Sequence, residues 1–114
     1  MSNEDFFQRV YRIVEQIPYG RVTTYGAIAE ALGVRSSARL VGWALNQVTY
    51  REDLPELPCH RVVNREGRLT GKAYFGGNVM EERLRQEGIA FIEENRIDLK
   101  RHFWKPDVDK AGNQ

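Results

Sequence analysis

Residues 23–47 read TTYGAIAEALGVRSSARLVGWALNQ, and this stretch decides the fold. Thr24 is a good N-cap, Ile28, Ala29 and Leu32 form an apolar face, and Gly33 supplies a C′ stop. After about four residues a further helix begins, capped by Ser36 or Ser37, with Leu40, Val41, Ala44 and Leu45 facing inward. Two short helices joined this tightly suit a helix-turn-helix. They suit an ordinary helical hairpin equally well.

Upstream, NEDFFQRVYRIVEQIP carries Phe6, Val10, Ile13, Val14 and Ile17 at helical spacing, with Asn3 as a cap and Pro18 and Gly20 as the stop. Downstream, residues 49–58 form a polar loop interrupted by proline, of the kind that carries functional groups. The segment CHRVVNREGRLTG reads as a short β-hairpin, with arms 61–64 and 68–71 around a turn at Arg65, Glu66 and Gly67. AYFGG is an aromatic and glycine loop. NVMEERLRQEG is a fourth helix between Asn78 and Gly88, and IAFIEENRIDLKRHFW holds two short strands or an irregular tail around Trp104.

The chain has 114 residues, enough for one compact domain without disulfide or metal staples. Residues 1–106 are expected to form that domain and 107–114 a polar tail. The N-terminus lacks a basic region and an apolar run, and no stretch approaches the roughly 18 apolar residues of a membrane span, so a cytoplasmic protein is expected. The single cysteine fits a reducing compartment. Net charge is +1, which announces no nucleic-acid binder. Basic residues do cluster, with Arg61, Arg65, Arg68 and Lys72 in one group and Arg96, Lys100, Arg101 and Lys105 in another. Such clusters bind phosphates or are ordinary solvated surface.

The chemistry centres on LPCHRVV, residues 57–63. A thiol attacks as thiolate, so a reactive cysteine needs a base or a positive charge nearby. His60 follows Cys59 directly, but in an extended segment the two would point apart. Contact then requires a turn at Pro58 and Cys59, or a bridging water. A carboxylate should orient the histidine, and Glu87 is a candidate because it breaks a local rule. It stands in the last turn of a helix, where the macrodipole disfavours an acid. With such support the thiol pKa would fall. The alternative is a core thiol, a satisfied histidine and a surface acid. One cysteine and two histidines, with His102 far away, make no zinc site, and no phosphate-cradling glycine loop is present, so neither metal nor cofactor is called for.

Taken together, PCHRVV, NREG, a later GG and RLRQEG resemble the O6-alkylguanine-DNA alkyltransferases, the methylated-DNA–protein-cysteine methyltransferases. IPYGRVTTYGAIAEALG and SARLVGWAL resemble the helix-turn-helix of the same family, and the likeness runs from about Phe6 to Ile89. It implies an α/β, mostly α, winged-helix-like DNA-binding domain with a helix-turn-helix and a short β-hairpin. It implies that Cys59 accepts the alkyl group, activated through a water by His60, with Glu87 behind the histidine. Arg39 would fill the place of the extruded base, Ala38 would let the helix lie close in the minor groove, Tyr25 would crowd the rotating phosphate, and Arg61 would build the cysteine loop. The expected partner is double-stranded DNA containing O6-alkylguanine, met by a monomer, with one irreversible turnover per molecule and no cofactor.

The length and the ending IDLKRHFWKP resemble instead the alkyltransferase-like proteins. Those carry another residue at the cysteine position and hand the lesion to nucleotide excision repair proteins. The family's Gly-Asn-Pro hinge is replaced here by LNQVTYREDLPEL, and its Tyr-Ser-Gly-Gly reads Tyr74-Phe75-Gly76-Gly77. The loss of that serine removes a hydroxyl expected to hold guanine O6. The expectation is therefore an alkyltransferase-like body that keeps its reactive cysteine, with a non-catalytic lesion sensor as the alternative.

Overall fold

The structure, a computed structural model, describes residues 3–33, 37–48, 57–71 and 78–107. In chain order come α1 (Asn3–Val14), β1 (Thr23–Thr24), α2 (Tyr25–Ala31), α3 (Ala38–Val48), a 3-10 turn (Cys59–Arg61), β2 (Val62–Val63), α4 (Val79–Gln86), β3 (Phe91–Glu93), β4 (Arg96–Ile97) and α5 (Leu99–His102).

The apolar stripe of α1 is buried as its spacing requires, with Phe6, Val10, Ile13 and Val14 all inside and Ile17 following. Tyr11 is buried beside them, and its hydroxyl donates to the Ala44 carbonyl at 2.8 Å, tying α1 to α3. Thr24 caps α2 as expected, accepting a hydrogen bond from the Ala27 amide at 3.0 Å. Ile28, Ala29, Val41, Ala44 and Leu45 close the first core, with Leu40 packed at its edge. α2 and α3 pack on one another as the helix-turn-helix. Ser36, the loop 49–56, residues 72–77 with the AYFGG motif, and the tail 108–114 lie outside the described residues.

β1 and β2 pair in parallel, Thr23 opposite Val62 and Thr24 opposite Val63, with α2 and α3 forming the crossover between them. Successive strand residues face opposite ways. Val62 accordingly joins the first core and Val63 a second one, built with Val22, Leu69, Met80, Leu84, Ile89 and Ile97. This small sheet is the shared wall of the two cores. The segment after α5 docks beside β1, where the Val22 amide donates to the His102 carbonyl (3.0 Å) and the Trp104 amide donates to the Val22 carbonyl (2.7 Å).

The expected hairpin over 61–71 is corrected in part. Its turn is present: the Asn64 side chain accepts from the Glu66 and Arg68 amides at 2.9 and 2.8 Å. Its arms do not form a two-stranded ladder with each other. Val62 and Val63 are both fully buried, which suits a strand covered on two faces rather than a half-exposed arm. Arg68 bridges to Arg96 instead. The antiparallel hairpin among the described residues is β3 with β4, turned through Asn95 at φ +62°. Together these elements make an α-rich α/β domain of winged-helix type.

Candidate active site

Pro58 bends the chain before Cys59, and Cys59–Arg61 form one 3-10 turn, with the Arg61 amide donating to the Pro58 carbonyl at 3.0 Å. The turn removes the strand geometry that would have sent Cys59 and His60 to opposite faces. Cys59 is a free, partly buried thiol against the first core, the same core on which Tyr25 packs. His60 is buried and points toward the end of α4.

Glu87 is the C-cap residue of α4. The macrodipole penalty there is offset by donors converging on its carboxylate. His60 Nε2 lies 2.7 Å from Oε2. Arg61 forks onto both oxygens, Nε at 2.9 and 3.0 Å and Nη2 at 2.8 Å. The Gly20 amide donates to Oε1 at 2.9 Å. Gly20 holds φ +82°, a conformation that turns this amide inward and that a side chain resists. Arg61 also donates to the Ile17 carbonyl at 2.8 Å and lies over the Tyr19 ring at 5.6 Å. The Tyr19 hydroxyl donates to the Gln86 carbonyl at 3.0 Å. The IPYG loop is thus clamped to the end of α4, with the histidine and arginine between them.

The electrostatics follow from this packing. Burial alone would raise the Glu87 pKa, but the hydrogen bonds from Arg61, His60 and Gly20 outweigh it and hold the carboxyl below its usual range. Burial lowers the His60 pKa despite the pull of Glu87, so the imidazole is neutral near pH 7. An ionised Glu87 only accepts hydrogen bonds, so Nε2 carries the ring proton and Nδ1 is left as the acceptor. That nitrogen is buried and has no hydrogen-bond partner among the described residues.

The thiol does not follow the expectation of a lowered pKa. Burial pushes Cys59 up to about 11, against the opposing charge of Arg83 and a backbone hydrogen bond. Desolvation wins because a thiolate at the edge of an apolar core loses more hydration than one nearby cation restores. Arg83 is the residue that sequence reading missed. It stands one helical turn before Glu87 and lines two cavities with His60. One is about 300 Å3 beside Glu15, Leu57, Pro58 and Arg61, and the other about 210 Å3 beside Tyr19, Gln86 and Glu87. The i, i+4 spacing of Arg83 and Glu87 in RLRQEG was the available signal.

The remaining candidates lie on the helix-turn-helix. Tyr25 opens α2 and is partly buried; a Cβ at Gly42 would meet its ring at 4.0 Å, so Gly42 seats α3 against it. Ala38 and Arg39 open α3, and Arg39 is exposed. Trp43, four residues on, is 57% exposed on the same side. α3 contains no acidic residue. The structure therefore joins His60, Arg61 and Glu87 in one hydrogen-bonded cluster, with Cys59 on the same 3-10 turn but against the first core, and places Tyr25 at the start of α2 and Ala38 and Arg39 at the start of the acid-free α3.

The sequence matches the 6-O-methylguanine DNA methyltransferase, DNA binding domain, over residues 5–89. It is 35% identical over 113 residues to alkyltransferase-like protein 1 of Schizosaccharomyces pombe, covering 93% of this chain and all of that one. It is 42% identical over 110 residues to the DNA base-flipping protein of Escherichia coli, covering 91% of this chain and 78% of that one. The crystal structure of S. pombe Atl1 in complex with damaged DNA containing O6-carboxymethylguanine superposes with a TM-score of 0.78 at 33% identity, over 93% of this chain and 100% of that chain. The Mycobacterium tuberculosis O6-methylguanine methyltransferase superposes at 0.59 and 39% identity, over 73% of this chain and 48% of that one. The chain belongs to the family of the 6-O-methylguanine DNA methyltransferase DNA-binding domain.

Proposed function

We propose that this protein binds duplex DNA containing O6-alkylguanine, turns the altered base out of the stack, and takes the alkyl group onto Cys59. The observation that carries the reading is the histidine beside the lone cysteine. Its Nε2 is fixed on Glu87 at 2.7 Å, and its Nδ1 has an acceptor lone pair without a protein partner among the described residues. A neutral imidazole so held is a general base for a thiol whose own pKa is too high to ionise unaided. Sγ attacks the alkyl carbon, the bond from that carbon to O6 breaks, and its electron pair leaves on guanine. The thiol proton passes to Nδ1, directly or through water, and returns to the guanine by way of solvent. The product is a thioether and the reaction needs no cofactor.

Flipping costs a few kcal/mol, which inserted side chains offset in part. In this reading Arg39 fills the vacated stack, Ala38 permits close approach of α3, Tyr25 crowds the phosphate, and Arg61 braces the cysteine turn through Glu87. The test is intact-mass measurement after incubation with an O6-methylguanine duplex. A gain of one methyl, absent in Cys59→Ala, is expected. A second reading, a lesion sensor that hands the base to nucleotide excision repair, draws support from the raised thiol pKa and from the end-to-end match to S. pombe alkyltransferase-like protein 1. Tight lesion binding with no mass gain would establish it over transfer.

A further inference from the structure

An open hollow of about 460 Å3 lies apart from the histidine cluster, lined by Thr24, Arg65, Leu99, Lys100 and Phe103. Its position follows from the small parallel sheet. β1 runs into Thr24 and then Tyr25, and β2 runs through Asn64 into Arg65, so both strands leave the sheet at the same end. α5 and Phe103 form the remaining wall, and they lie beyond the residues matched by the family. Phe103 is 40% exposed although its neighbour His102 is buried. Among the described residues the lining is mostly apolar, with two cations on it and no carboxylate. The nearby Glu66 is committed to Arg68 at 3.3 Å.

We propose that this hollow is a further DNA-backbone site, taking one phosphodiester and its adjoining deoxyribose from the duplex engaged by α2 and α3. It rests on the DNA-binding reading above. Arg65 and Lys100 contact the phosphate oxygens, and Leu99 and Phe103 cover the apolar face of the sugar. The occupant is DNA rather than an acidic peptide because Thr24, the N-cap of α2, lines the hollow, so its cations Arg65 and Lys100 stand at the start of the helix whose first residue, Tyr25, meets the phosphate in the proposed function. An apolar floor under a cationic rim matches a sugar beside its phosphate. Contacts of this kind carry no sequence or lesion information, so the site sets basal affinity and footprint rather than discrimination.

The test uses the full chain and fluorescent duplexes of one sequence, with and without O6-methylguanine, across a salt series. Arg65→Gln and Lys100→Gln should each reduce the slope of log K against log salt, and the double variant should reduce it by about 0.9, the value for one phosphate. Both should weaken binding to the two duplexes by the same factor, leaving the lesion preference intact. Phe103→Ala should weaken both without changing the slope. Slopes and affinities equal to wild type in Arg65→Gln and Lys100→Gln would overturn the proposal, and so would an acidic aromatic peptide that fills the hollow without displacing DNA. If the lesion reading fails instead, wild type will show no preference between the duplexes while the slope changes remain.

Discussion

Glu87 is a residue that folding uses directly and that the proposed reaction would use through His60. Its carboxylate is 5% exposed and anchors Arg61, itself only 15% exposed. Glu87→Gln keeps the shape and removes the charge, leaving a buried guanidinium without its counter-ion. The expected loss of stability in urea unfolding is about 3 kcal/mol, the lower end for breaking a buried pair. The same change weakens the hold on the His60 tautomer. Alkyl transfer from an O6-methylguanine duplex should then slow roughly 10²-fold near neutral pH. The deficit should shrink as pH approaches the thiol pKa of about 11, where thiolate forms without a base. A rate equal to wild type, measured at a pH where the variant is folded, would reduce Glu87 to a structural role.

At the scale of elements, the helices were legible because their signals are local. Thr24 caps α2, Gly33 at φ +79° ends it, and the stripes of α1 and α3 are buried where the spacing put them. Glu87 was legible because it violated a local rule. The sheet was not legible: the partner of Val62 and Val63 stands 39 residues upstream, and no local pattern distinguishes Thr23–Thr24 from a helix lead-in. Arg83 escaped for a similar reason, since its effect on Cys59 depends on how α4 meets the 3-10 turn. The expected turn at 65–67 was right but its arms were assigned to the wrong partners. Gly67 reveals the true packing, for at φ +85° its Cβ would stand 2.7 Å from the Ile97 carbonyl oxygen. Its own carbonyl accepts from the Ile97 amide at 2.9 Å. Gly67→Ala should therefore cost about 2–3 kcal/mol through strain in the turn and against β4 together. Thr24→Ala should cost only about 1 kcal/mol through the lost cap. Urea unfolding of both variants checks the order, and equal small losses would mean that the turn does not touch β4.

At the scale of the whole molecule, the buried titratable groups set a pH window for stability. His60 and His102 are both held below the ordinary 6.5, each chiefly by burial. His102 Nε2 accepts from the Ala90 amide at 2.9 Å, a bond that protonation of that nitrogen would forfeit. A depressed pKa means that the unfolded chain binds the proton first, so stability falls as pH drops below about 6.5. Glu87, also depressed, adds a further loss below its ordinary 4.5. Cys59 has the opposite sign. Its folded pKa of about 11 exceeds the ordinary 9.0, so its contribution is complete below pH 9 and is lost as pH rises toward 11. The size of that contribution is on the order of 2 kcal/mol. The melting temperature should accordingly be flattest between these limits and fall on both sides. Every other group is shared with Cys59→Ala, so comparison with that variant isolates the thiol. That variant should lose less stability than wild type between pH 9 and 11, whatever its offset at neutral pH. Parallel alkaline limbs in the two proteins would mean that the thiol is hydrated, and with it would go the need for His60 as a base.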